Sequence, residues 1–182
     1  MVSVQYTITK DDYVSFYSFV FWEEGKKKRR LNYVKQAAFL LLFLSVIYFA
    51  GGLGSFNTIS ITIYALIFLS VIMPLISGKT NVIRSAEKIA DNVQNVSLFT
   101  DYNLVATDAD LFIKTSYAET KYFWKSIIKK AETDTHYFLF ENGIQAIIIP
   151  KRAFKSAEEK LALSKILSRN LSLDAEFNQI LT

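Results

Sequence analysis

"HYFLFENGIQAIIIP", residues 136–150, is two apolar runs joined by a polar break, and its reading decides the fold of the C-terminal half. Asn142-Gly143 accommodates positive φ at low cost, so the break reads as the turn of a β-hairpin. Pro150 has no N–H to give a ladder and closes the second strand. Upstream, "VSLFT", "NLVAT", "LFIKTS", "ETKYFW" and "IIKKAET" are short apolar or alternating runs set off by turn residues. With the two hairpin runs they predict seven strands from Asn95 onward, a small antiparallel sheet or barrel. Downstream, Ser156 followed by Glu158 and Glu159 opens a helix. Leu161, Ile166, Leu167 and Leu171 give that helix an apolar face able to close one end of the sheet.

The N-terminus carries a second, smaller pattern. "VSVQYTIT" alternates Val2, Val4, Tyr6 and Ile8 with polar residues, the period of a half-buried strand. Thr9 and Asp12 then make a capping box for a helix whose Tyr13, Phe16, Tyr17, Val20 and Phe21 recur at three- and four-residue spacing. Such an aromatic stripe suits either a lipid surface or packing on the domain that follows.

Between these parts, Gln36 to Gly78 holds no charged residue, about twice the roughly 20 residues of one transmembrane helix. "GGLGSFN", residues 51–57, breaks the run, so the expectation is a two-helix transmembrane hairpin, about Ala37–Ala50 and Thr58–Ser77, with Pro74 kinking or ending the second helix. Lys26, Lys27, Lys28, Arg29, Arg30 and Lys35 lie before it, Lys79, Arg84 and Lys88 after it, and none between. That distribution predicts both termini on the cytoplasmic side of a bacterial inner membrane, with the basic run gripping anionic headgroups. Val82, Ala86, Ile89 and Val93 continue the second helix as an amphipathic stalk. The expected organisation is therefore an N-terminal strand and helix with the basic run over 1–35, the hairpin over 36–78, the stalk over 79–94 and a cytoplasmic β domain over 95–182. In fold class this is an α+β membrane protein.

Composition agrees with that division. Half of the 182 residues are apolar and mean hydropathy is +0.21. The net charge of +4 is local: residues 1–35 hold seven Lys/Arg against four Asp/Glu, and the chain from Lys79 on holds fourteen against thirteen. A nucleic-acid binder spreads its cations over a folded face among stacking aromatics, so a nucleic-acid partner is not expected. The chain has no cysteine, which removes disulfides, thiolate metal sites and cysteine nucleophiles.

"YFWKSIIKKAETDTHYFLFENGIQAIIIPKRAFKSAEE", residues 122–159, resembles the signature of YcxB-like proteins. It has an aromatic-Trp pair with Ile three residues on, then Glu-Thr, a hairpin, and Ile-Pro-Lys-Arg-Ala-Phe before a final helix. Phe123 stands where a proline is frequent. The resemblance implies a short strand-and-helix start, two transmembrane helices and a C-terminal domain similar to a bacterial pleckstrin-homology fold. It implies no catalytic residues, and some such proteins are similar to immunity proteins that protect a bacterium from a secreted toxin.

No cofactor and no enzymatic activity are expected. His136 is the only histidine and reads as an exposed turn residue. Asp101, Asp108 and Asp110 fall in turns, where Asp is favoured for its side-chain-to-backbone bonds, and their spacing is not that of a calcium loop. Lys151 and Arg152 read as a strand-to-helix corner with solvated tips, Phe154 stapling the helix start. The functional expectation is a non-enzymatic inner-membrane binding protein, foremost an immunity protein sequestering a toxin. A membrane-anchored scaffold that binds anionic lipid or a cytoplasmic partner is the alternative. Tyr117, Tyr122, Tyr137, Lys151 and Arg152 are the candidate partner-binding residues, the bilayer is an expected partner, and a second copy of the chain is another.

Overall fold

A computed structural model describes residues 1–24, 26–49 and 58–171. The fold is α+β with antiparallel sheets. Strand β1 (Val2–Thr7) pairs with β2 (Asp101–Ala106), which pairs with β3 (Asp110–Thr115) and β4 (Glu119–Phe123) in a four-stranded sheet. Strands β5 (Lys129–Glu132), β6 (His136–Phe140) and β7 (Ala146–Pro150) form a second sheet in that order.

Six of the seven strands expected from Asn95 onward form. "VSLFT" lies largely in a 3₁₀ helix, Val93–Leu98, and the seventh strand is β1, about a hundred residues upstream. Asn92 caps that 3₁₀ helix by accepting from the Gln94 N–H, a local bond that competes with strand pairing. The Val2↔Ala106 to Thr7↔Asp101 register sets Val4 opposite Leu104 and Tyr6 opposite Tyr102, whose rings stack 5.5 Å apart. Val2, Val4, Leu104, Leu111 and Ile113 thus share one buried face.

Helix α4 (Ala157–Asn170) opens at Ser156, whose hydroxyl accepts from the Glu159 N–H. Its Leu163, Ile166 and Leu167, with Leu171, join the same core as Tyr137, Leu139 and Ile149 of the second sheet. The expected closing helix is therefore present, but Leu161, expected on its apolar face, is 55% exposed and Leu163 is buried there instead. Helix α1 (Lys10–Ser18) covers the other side of β6, where Phe16 meets Phe138 at 5.5 Å and Phe140 at 6.1 Å. β6 is buried at all five positions because it lies between two apolar layers. Each such aromatic stabilises by about 1.5–3 kcal/mol on burial.

Residues Met1–Tyr17 and Ala86–Thr182 make one compact unit, and Ser18–Ser85 another. The second contains a π-helical turn, Phe19–Glu24, helix α2 (Lys26–Phe49) and the larger part of α3 (Thr58–Ala90). Among the described residues no helix is long and apolar enough to cross a membrane. This corrects the expected two-helix transmembrane hairpin and, with it, the multi-pass inner-membrane location. The helices do not begin and end where the uncharged run does. α2 carries six cations in its first ten residues and only Gln36–Phe49 beyond them, about 21 Å of helix against a hydrocarbon core of about 30 Å. α3 is unbroken as far as Ala90 and takes in Lys79, Arg84, Glu87 and Lys88. Pro74 therefore does not end it, and the stalk is the same helix. Val93 lies beyond that helix and is 83% exposed, so it is not on the stalk's apolar face. The expected "GGLGSFN" turn lies outside the described residues.

Candidate functional site

The capping box at the start of α1 forms as read. The Asp12 carboxylate accepts from the Thr9 N–H at 2.7 Å and the Thr9 hydroxyl at 2.8 Å, and the Asp12 N–H donates back to that hydroxyl at 3.3 Å. The same carboxylate also serves a larger purpose. His136 Nε2 lies 2.8 Å from its Oδ1, and Arg152 spans both oxygens, with Nη2 2.6 Å from Oδ2 and Nη1 on Oδ1. Arg152 Nη2 also donates to the Thr7 carbonyl at 3.1 Å, and His136 Nδ1 lies 2.8 Å from the Thr135 hydroxyl.

Asp12 and His136 are 2% and 4% exposed. Burial raises the Asp12 carboxyl, but the hydrogen bonds from Arg152, the Thr9 backbone and His136 outweigh it and hold the group well below the usual carboxylate range. Arg152 is held charged by the same bond. An open hollow of about 310 Å³ lies over this node, with Asp11, Ser15, Asp134 and Lys151 around it.

Two expectations are corrected here. His136 is a buried residue of β6, not an exposed turn histidine. Arg152 keeps the expected strand-to-helix corner and is half-exposed, its guanidinium bound to Asp12, whereas the tip expected to be solvated at Lys151 is covered. Lys151 pairs with Glu132 at 2.7 Å and lies 4.8 Å from the Tyr137 ring centre, its side chain only 12% exposed. A signal for the buried histidine was present, since "HYFLF" is apolar at every other position, the pattern of a strand covered on both faces. Its partner, 124 residues upstream, left no such trace.

Carboxylate, imidazole and hydroxyl in line resemble the order of a hydrolytic relay. In this chain, however, the carboxylate already takes bonds from Arg152 and Thr9, and the hydroxyl belongs to the residue next to the histidine. What the arrangement does physically is tie α1 to β6 and to the turn after β7. Of the three acids read as turn residues only Asp108 lies in a turn, since Asp101 and Asp110 open β2 and β3, and each of the three is engaged. Asp101 accepts from the Thr7 hydroxyl, Asp108 pairs with Arg169 at 2.8 Å, and Asp110 pairs with Lys121 at 2.8 Å and accepts from Thr107. Among the described residues no group of His, Cys, Asp and Glu is arranged to hold a metal ion.

The remaining candidates separate by exposure. Tyr137 is 1% exposed and belongs to the core, its hydroxyl pushed up by burial and the nearby Glu132. Tyr122 packs half-buried against the same core. Tyr117 is 68% exposed in the turn between β3 and β4, held by the Thr115 N–H on the Ala118 carbonyl at 2.8 Å. Phe123, at the end of β4, is 54% exposed, with Lys121 and Lys125 Nζ 5.4 and 6.0 Å from its ring centre. β4 is the last strand of its sheet and pairs only with β3, so its other edge is unpaired among the described residues. Sequence reasoning named Tyr117 and missed Phe123, whose neighbour Trp124 is core. Of the basic run, Arg29 stacks 3.6 Å from the Trp22 ring centre and donates to the Trp22 carbonyl. Lys26, Arg30 and Lys35 are exposed, and the side chains of Lys27 and Lys28 lie outside the described residues.

Residues 106–167, from the end of β2 into the last turns of α4, match the family model described as YcxB-like protein. No curated protein and no solved structure matches the chain.

Proposed function

We propose that this chain is a non-enzymatic binding protein, and that its role is immunity: sequestering a secreted toxin polypeptide on the surface built by β4. The observation that carries the proposal is the unpaired edge of β4, flanked by the exposed aromatics Tyr117 and Phe123. An open edge supplies main-chain hydrogen bonds to an extended partner segment, and exposed aromatics beside it supply the anchors that dominate binding energy. Lys125 adds a cation beside Phe123, while Lys121 is paired with Asp110. The YcxB-like match over residues 106–167 takes in β4, Tyr117 and Phe123.

A regulatory or scaffolding role has one observation of its own, the cations that open α2, which suit docking on an anionic surface. The two readings part in one experiment. The full chain is co-expressed with each of a panel of secreted bacterial toxin polypeptides, and growth rescue from any of them is scored for the native chain, for Phe123→Ser with Tyr117→Ser, and for Lys26→Gln with Arg30→Gln. Immunity at β4 predicts loss of rescue, and of a one-to-one complex, only in the aromatic pair. Rescue that survives the aromatic substitutions removes the proposal.

A further inference from the structure

The α2–α3 unit exposes large apolar side chains in two matching rows. On α2, Phe39, Leu42 and Val46 are 70%, 63% and 59% exposed, and on α3, Leu66, Leu69 and Met73 are 61%, 50% and 58% exposed. Both rows follow the spacing i, i+3, i+7, which lines one side of a helix and is the seam along which helices pack. Between the helices runs a groove of about 500 Å³ lined by Phe39, Leu40, Phe43, Ile67 and Ser70, with Lys35 and Gln36 at its α2 N-terminal end.

The serine hydroxyls near the rows ask for nothing from a partner. The hydroxyls of Ser45 and Ser70 donate to the carbonyls of Leu42 and Ile67 in their own helices, each at 2.7 Å. Whatever covers the rows has to be apolar. With the six residues half to seven-tenths exposed and only Phe39 aromatic, the rows and their exposed neighbours leave on the order of several hundred Å² of apolar surface wet. That is at the upper end of what a monomer normally carries and approaches the roughly 800 Å² each partner contributes to a stable interface.

We infer that a second copy of this chain covers these rows, α2 and α3 of each copy packing as an antiparallel four-helix arrangement about a two-fold axis. A two-fold axis makes the same patch serve both sides, as two equal apolar rows without polar specificity require. The direction is set by charge. A parallel pairing would bring the cation runs of the two α2 helices together, Lys26 to Arg30 in each. An antiparallel pairing separates them by nearly the length of a 24-residue helix, about 36 Å, several times the Debye length of about 8 Å at physiological salt. The rows lie in one unit and β4 in the other, and different substitutions test them, so either proposal can fail without the other.

The cysteine-free chain allows a direct test. Single Leu42→Cys, Phe39→Cys, Val46→Cys and Leu41→Cys variants of the full chain are treated with a short bismaleimide, and the native chain is weighed by light scattering. An axis at the middle of the α2 row predicts that Leu42→Cys links to itself. Phe39→Cys and Val46→Cys chains should link to each other when mixed, faster than either links to itself. Leu41→Cys, off the row, should link more slowly by well over tenfold, because thiols held together meet at an effective concentration far above that of free chains. The native chain should weigh twice 20.8 kDa. A monomeric mass overturns the proposal, whether the rows are then bare or coated by detergent or lipid. Equal linking from positions 41 and 42, or linking only to a different polypeptide, overturns it as well.

Discussion

Asp12 of α1 and His136 of β6 meet at 2.8 Å across 124 residues, and both are buried. Replacing Asp12 with Asn keeps its size but removes the charge that Arg152 and His136 were placed to meet. Breaking a buried pair from one side costs about 3–5 kcal/mol. The Arg152 side chain is 52% exposed and recovers water, so the loss belongs at the low end, about 3 kcal/mol. Urea unfolding of Asp12→Asn should show it, and adding Arg152→Met should return part of the loss. If the single variant unfolds at the native midpoint, the node is not a stabilising tie.

The same carboxylate fixes the pH dependence. Its folded pKa is held below that of the unfolded chain, about 3.9 for Asp, so the unfolded state binds more protons in the interval between them. The contribution of Asp12 is therefore present in full above about pH 5 and is lost as pH falls through 4 toward the depressed folded value. Urea midpoints taken from pH 7 down to pH 3 should fall more steeply for the native chain than for Asp12→Asn. Parallel curves would assign the acid sensitivity to other groups.

These pairings also show where a sequence can be read and where it cannot. Six of the seven expected strands from Asn95 onward were legible because strand period and turn residues are local signals, and Ser156 marked α4 for the same reason. The place of β1 was not, since its partner β2 lies about a hundred residues downstream and register is a tertiary choice. The partners of single polar residues were hidden for a related reason. Arg152 and His136 are polar where the sequence reads a corner and a turn, yet both face one carboxylate that only the folded chain brings to them. The uncharged run misled because it was read as whole helices, whereas α2 and α3 each run on into charged residues.

In the second unit, Gly78 of α3 lies under the Trp22 ring. A Cβ at this position would come within 2.8 Å of that ring, which Arg29 holds from the α2 side. Alanine in place of a helical glycine gains about 1 kcal/mol in helix propensity, while overpacking costs about 1–3 kcal/mol. With the ring clamped, Gly78→Ala should lose about 1 kcal/mol net. Making room with Trp22→Leu should reverse the sign, so that Gly78→Ala stabilises the Trp22→Leu background. The four thermal unfolding curves of this cycle decide it, and additivity of the two substitutions would remove the steric explanation.

Phe123 and Trp124 are adjacent aromatics with opposite fates. Phe123 is 54% exposed at the end of β4, whereas Trp124 is 6% exposed, joins the core and donates its indole N–H to the Thr107 carbonyl at 3.0 Å. Phe123→Ser removes no core contact, so its unfolding free energy should stay within about 0.5 kcal/mol of native. Trp124→Phe leaves a cavity and takes the donor from a carbonyl, a loss of about 2–3 kcal/mol. Denaturant curves give both values, and the emission of Trp124 should shift to the red only on global unfolding. The contrast matters for the binding surface, because a residue whose removal leaves stability untouched and abolishes partner capture acts at the interface itself. If Phe123→Ser destabilised the domain as much as Trp124→Phe does, its exposed ring would be a structural contact and β4 would lose its anchor.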